Sequence, residues 1–382
     1  MERIYLDNSS TSFPKAPGLG EAIGHHTDFS GFNISRGTYR DALDVSAMVA
    51  ETRDLLCTAF GCTAPRNVIF TAGATAGINT VLKGLLRPGD RILTSSMEHN
   101  AIARPLWSMS KAGIVWEKAP CRSDGSLDVK EIEDLIDADT RLVMVTHCSN
   151  VCGTILPVNA IGSVCRKHGV FFAVDAAQSA GSEKINMTGS FIDALIVPAH
   201  KGLMGPQGIG ALMISDAMAC SLLPLTEGGT GSMSDSLETP LQLPDRFEAG
   251  TMNLPGIAGM NHSLKFLDRE TLDAVSEKKK MLTEKLISEC KNINGISLKV
   301  CEDIRKRGPV VSVDFRSMDN ANASLLLEKE YGIMTRCGLH CSPMGHRTIG
   351  TFPRGTVRFS PGYFNTEKDI LKTVDAIASI SG

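Results

Sequence analysis

No apolar run in the 382 residues approaches the roughly 20 that a membrane-spanning helix needs, so a helical membrane protein is not expected. Nor is there a basic run with interleaved aromatics. Aromatic residues make up only 5% of the chain, and the net charge is −3 with a pI near 6.3. Nucleic acid is therefore not an expected partner. The opening MERIYLDNSS carries no signal-peptide pattern, and there is no internal repeat or low-complexity tract. Cysteine, by contrast, occurs eleven times. Without a secretory signal these residues read as reduced thiols in the cytoplasm, not as a disulfide framework.

Hydrophobic and charged contents of 42% and 21% fit a globular chain, and the length suggests one large and one smaller domain. Apolar, β-branched runs recur at NVIF (67–70), RILTS (91–95), RLVMVTHC (141–148), VFFAV (170–174), DALIVPA (193–199) and IGALMI (209–214). Helix-like runs at 75–85, 100–112 and 158–168 separate them, which predicts an α/β fold with a mostly parallel sheet covered on both faces. Ligands in such sheets gather at the C-terminal strand ends. Thr75, His99, Asn150, Asp175 and Lys201 all fall there. A Gly-, Pro- and Ser-rich excursion spans 224–256, a helix-like stretch spans 258–292, and a smaller α+β unit follows. Its parts are VVSVDF (310–315), a helix near 320–331, the segment 333–345, TVRFS (356–360) and a helix near 366–380. The opening residues are expected to pack beside this unit.

Lys201 sits between an apolar strand and a glycine-rich loop in IVPAHKGLMGPQGIG (196–210). Burial lowers a lysine pKa, so a free amine able to attack a carbonyl exists near neutral pH. Upstream, VFFAVDAAQS (170–179) ends in Asp175 and Gln178. An aldehyde-bonding lysine and a carboxylate against a pyridinium nitrogen are the two parts that pyridoxal 5'-phosphate (PLP) needs. The small residues of TAGATAG (71–77) let backbone N–H groups face an anion at a helix start, with Thr75 adding a hydroxyl. His99 could lie against a cofactor ring, or simply face solvent. In TRCGLHCSP (335–343), Arg336 and His340 flank Cys341, and nearby positive charge favours the reactive thiolate. Arg358 interrupts the apolar strand TVRFS; a buried guanidinium needs an anion, either a substrate carboxylate or a structural partner. The C-x3-C pairs Cys148/Cys152 and Cys337/Cys341, with His147 and His340, have zinc-like spacing. That reading requires two distant loops to meet, and no metal is expected.

With these segments in view, the chain resembles the fold-type I PLP enzymes of aminotransferase class V, specifically the second group of cysteine desulfurases and the selenocysteine lyases. The likeness runs from YLDNSST (5–11) to VRFSPGYFNT (357–366). It implies a large PLP-binding domain (15–257) with a mostly parallel seven-stranded sheet. A smaller α+β domain (1–14 and 258–382) would carry the catalytic cysteine. It further implies that Lys201 bonds the cofactor, Asp175 pairs with the ring nitrogen, and Gln178 and Asn150 reach the ring oxygen. His99 would stack on the ring, while Ala74, Thr75 and His200 hold the phosphate. Arg358 would grip the substrate carboxylate, with Arg336 beside the sulfur and Cys341 forming a persulfide. Thr251, in RFEAGTMN (246–253), would reach the phosphate in the partner subunit of a C2 homodimer. The implied reaction converts L-cysteine to L-alanine and passes sulfur to an acceptor protein. Alternatives are a lyase acting on L-selenocysteine and a non-catalytic scaffold that binds a sulfur carrier. Two positions depart from the family pattern. Pro198 replaces a phosphate-binding Ser or Thr, and Cys337 replaces a frequent threonine, where it is expected to be inert.

Overall fold

The computed structural model describes residues 3–34, 37–267 and 269–382. A two-residue strand, β1 (Ile4–Tyr5), precedes the main sheet. That sheet comprises β2 (Val68–Thr71), β3 (Arg91–Ser95), β4 (Val115–Ala119), β5 (Thr140–Thr146), β6 (Phe171–Asp175), β7 (Ala194–Pro198) and β8 (Gly210–Ile214). The spatial order is β2-β8-β7-β6-β5-β3-β4. The pairs from β7 through β6, β5 and β3 to β4 are parallel, and β8 runs antiparallel to both β7 and β2. The expected α/β architecture is present.

The sheet is covered on both faces because its strands alternate between two cores. Val143 and Val145 of β5 join one cluster with Leu195, Val197 and Met213, while Leu142 and Met144 join the other with Ile196 and Leu212. Near-continuous apolar runs follow from this two-sided burial. The edge strand β4, VWEKA, is mostly solvent-facing and carries charges, so it gives no such run. Helix Val158–His168 approaches the turn at 190 so closely that a Cβ at Gly162 would lie 1.9 Å from the Ser190 carbonyl oxygen.

The later part of the chain forms β9 (Ile296–Lys299), β10 (Val311–Phe315), β11 (Ile333–Met334), β12 (Arg336–Gly338) and β13 (Thr356–Phe359). Four of these make an antiparallel sheet in the order β12-β13-β10-β9, and β11 pairs in parallel with β1. Ile4 and Leu6 are therefore buried with Val311, Val313, Val357 and Phe359, as expected for the opening residues. The stretch expected as one helix near 258–292 is two, Leu254–Phe266 and Arg269–Cys290; residue 268 lies outside the described residues. The first of them buries Ile257, Met260 and Leu264 in a core shared with the large sheet.

The excursion at 224–256 contains a short 3-10 turn at Asp245–Phe247 and is irregular before it. Its far end is tied to the sheet edge. Arg53 makes a bidentate contact with Glu248 at 2.7 and 3.1 Å, and Glu248 accepts the Phe70 N–H at 2.7 Å. The paired geometry suits two planar groups removed from water.

Candidate active site

β6 and β7 end beside one another, which sets Asp175 and the turn after Pro198 at the same edge of the sheet. The Lys201 turn packs tightly against residues 180–181: a Cβ at Gly202 would lie 2.1 Å from the Ala180 carbonyl oxygen, so only glycine fits. Lys201 directly precedes that glycine. Burial lowers its pKa to about 8; Asp175 opposes that fall, while Arg358 and Arg336 add to it. Asp175 is only 3% exposed, and burial raises its pKa against the pull of the Ala177 N–H and of Lys201. Its Oδ1 accepts the Ala177 N–H at 2.9 Å.

His99 caps helix Asn100–Ser110. Its Nδ1 accepts the Ala101 N–H at 3.0 Å, which leaves the ring proton on Nε2. Burial, then the positive charges of Lys201, Arg336, Arg358 and Arg104, lower its pKa to about 4, so the ring is neutral at physiological pH. A cavity of about 230 Å³ joins these residues. Ala74, Thr75 and His200 line it, together with Asn150 and Gln178. The Gly73–Thr75 end is the N-terminus of the 12-residue helix Ala74–Leu85, whose first N–H groups lack intrahelical partners.

The turn bearing Cys341 is tied to Asn150, at the cavity's lining, and to the start of the His99 helix. His340 and Cys341 both have left-handed backbones, with φ of 48° and 58°. Two contacts hold this costly conformation: Asn150 Nδ2 donates to the His340 carbonyl at 2.6 Å, and the Asn100 N–H donates to the Cys341 carbonyl at 2.8 Å. The Cys341 thiol remains exposed, and Arg336 Nη2 lies 3.3 Å from its sulfur. Behind it Arg358, 1% exposed, donates through Nη1 to the Asn150 carbonyl and through Nη2 to Asp7 Oδ1 at 2.8 Å. Its Nε is buried without a partner.

The aminotransferase class-V profile matches residues 4–372. The chain belongs to the aminotransferase class-V family. A probable cysteine desulfurase of Methanothermobacter thermautotrophicus is 30% identical over 386 aligned positions, covering 100% of this chain and 95% of the relative. Among solved structures, the apo cysteine desulfurase of Thermococcus onnurineus NA1 superposes with a TM-score of 0.92 at 27% identity. It covers 99% of this chain and 94% of its own. The cysteine desulfurase CsdA of Escherichia coli, in an S-sulfonic acid form, gives 0.88 at 26% identity over 98% and 94%.

In this class-V family member, one expectation about the thiol's surroundings fails. His340 adds no positive charge beside Cys341. Its ring turns into the small sheet's interior, 2% exposed, with Nε2 at 3.1 Å from Thr356 Oγ1. Burial, reinforced by Arg358, His346 and Arg336, lowers its pKa to about 2. Arg336 alone flanks the sulfur from that strand. Cys337, one residue further along β12, faces the opposite side and packs against the small core. Pro198 lines the cavity opposite Gly210 of β8. Thr251 does not reach it; it is exposed and lines a separate cavity with Arg53, Thr230 and Glu248. Gln178 also lends its amide to the Ser9 carbonyl at 3.0 Å. Among the described residues no group of three or more His, Cys, Asp or Glu is arranged to hold a metal ion.

The sequence reading missed Asp7 and Ser10, which meet Arg358 and Arg336 across more than three hundred residues of chain. The only local signal is the Asp-x-x-Ser spacing of DNSS, a turn-forming pattern that does not name its distant partners.

Proposed function

We propose that this protein is a PLP-dependent cysteine desulfurase that moves sulfur from L-cysteine onto Cys341 and releases L-alanine. The observation that carries this reading is the exposed Cys341 thiol, 3.3 Å from the Arg336 guanidinium, on a turn tied to Asn150, which lines the cavity together with Lys201 and Asp175. The full-length likeness to proteins named cysteine desulfurases supports it.

The cavity's own chemistry fits PLP. Asp175 is a buried carboxylate with one backbone donor, and a ring N–H⁺ would offset the burial that raises its pKa. The helix start at Gly73–Thr75 suits a phosphate, and Lys201 offers an amine whose pKa is low enough to attack an aldehyde. Bound there, the cofactor would supply an electron sink that eases loss of the substrate's α-proton and of its β-sulfur.

Within that site Arg358 would receive the substrate carboxylate, its unpartnered Nε being the free donor. Lys201 Nζ would take the α-proton and return one. His99, neutral with its proton on Nε2, would lie against the cofactor ring. The Cys341 thiolate would then attack the substrate sulfur. The new S–S bond forms as the carbon–sulfur bond breaks, giving a Cys341 persulfide and, after protonation, alanine. One thiol and one cysteine thus become one persulfide and one alanine, with no external oxidant. The exposed position of Cys341 leaves that sulfur open to an acceptor protein. A C2 homodimer is part of this proposal, since Thr251 lines a cavity other than that of Lys201 in its own chain.

The test uses PLP-loaded Cys341→Ala with L-cysteine and reductant. Alanine and sulfide should appear in equal amounts with the parent and should fall at least about a hundredfold in the variant, as for loss of a nucleophile. Sulfide release at the parental rate would refute the assignment.

A further inference from the structure

Arg336 and Arg358 converge on one oxygen. Ser10 Oγ lies 3.3 Å from Arg336 Nη1 and 2.8 Å from Arg358 Nη2, and it donates its hydrogen to Asp7 Oδ1 at 2.8 Å. A hydroxyl has one hydrogen and two lone pairs, so this arrangement uses its full capacity and fixes its orientation. The same turn is closed by the Ser10 N–H on the Asp7 carbonyl at 3.0 Å. Asp7 Oδ1 also accepts from Arg358 Nη2 at 2.8 Å, so hydroxyl, carboxylate and guanidinium form a triangle of equal edges.

We infer that Ser10, braced by Asp7, is the positioning residue that aims Arg336 at Cys341 and couples it to the carboxylate-binding Arg358. The inference rests on the desulfurase reading of Cys341 and Arg358 given above. Arg358 is the rigid end of the chain of contacts, buried and fixed by the Asn150 carbonyl. Arg336 is the adjustable end. Among the described residues its guanidinium has two hydrogen-bond contacts, Ser10 Oγ on one edge and the Cys341 sulfur on the other. Without the hydroxyl, the inner edge has nothing to hold it, and a long side chain swings away from the sulfur. Asp7 also makes the arrangement tolerable: two guanidinium groups meeting at one oxygen repel, and its carboxylate leaves one net positive charge, enough for one thiolate. The other charged or titratable groups at the cavity are Lys201, Asp175, His99 and His200, while His340 turns away and is neutral.

A purely structural role for Ser10 would lower stability and leave thiol chemistry unchanged, so the test reads the thiol. In the PLP-loaded full chain, alkylation of Cys341 by iodoacetamide is followed across pH by peptide mass spectrometry. Ser10→Ala should move the profile to higher pH and slow alkylation at neutral pH about fivefold, as for loss of one hydrogen bond. Ser10→Thr, which keeps a hydroxyl, should retain the parental profile, and Arg336→Ala should shift it as Ser10→Ala does. A parental profile in Ser10→Ala beside a shifted one in Arg336→Ala overturns the positioning role. Parental profiles in both variants overturn it too, because Arg336 would then not tune the thiol. Failure of the desulfurase reading itself shows elsewhere, as sulfide release retained in Cys341→Ala.

Discussion

Two residues in the cavity carry measurable consequences. Lys201 is held near pKa 8 by burial, and only the neutral amine attacks an aldehyde. PLP uptake by cofactor-stripped protein should therefore accelerate as pH rises and level off above about 8. Stopped-flow absorbance gives the rate; one still climbing toward the ordinary lysine value of 10.5 would mean the amine is not depressed. Pro198, at the cavity wall, offers neither a hydroxyl nor an N–H. Pro198→Ser should tighten PLP binding about tenfold, the lower end for a charge-assisted hydrogen bond. Equilibrium dialysis reads this directly, and unchanged affinity would mean that other donors already satisfy the phosphate. Lys201 and Asp175 could be singled out as candidates because each lies at or just after the end of a recognisable strand, and Cys341 because an arginine stands nearby in the chain. The neutrality of His340 was not legible, because it depends on which way a ring turns.

Elements were legible in proportion to their burial. β5, β6, β7 and β8 are apolar on both faces and stand out as continuous runs, whereas β4 and β9 lie at sheet edges and show no such run. Close packing between elements left still less trace. Alanine in place of a helical glycine ordinarily stabilises by about 0.8–1.0 kcal/mol. In helix Val158–His168 the sign should reverse, because the Cβ of Gly162→Ala would lie 1.9 Å from the Ser190 oxygen. The expected outcome is a loss of about 1–3 kcal/mol, read from urea unfolding. A stabilised variant would show that the 186–193 turn yields easily.

At the scale of the molecule, Thr251 is the residue without an obvious task in its own chain. It lies at the segment clamped by the buried Arg53–Glu248 pair, beside a cavity distinct from that of Lys201. If the proposed homodimer shares its sites, refolded mixtures of Lys201→Ala and Thr251→Ala subunits should regain activity. Each mixed dimer then holds one site with an intact lysine and an intact threonine. Mixtures no more active than the two variants alone would place Thr251 outside the site. The sequence by itself determined the α/β order, the lysine–carboxylate pair and the candidate thiol, because strand-end chemistry and apolar periodicity are local. Only the tertiary structure decided what surrounds that thiol: it brings Asp7 and Ser10 of the first turn against Arg336 and Arg358. Contacts between residues so far apart arise when β1 pairs with β11, and long-range pairing has no periodicity for a sequence to display.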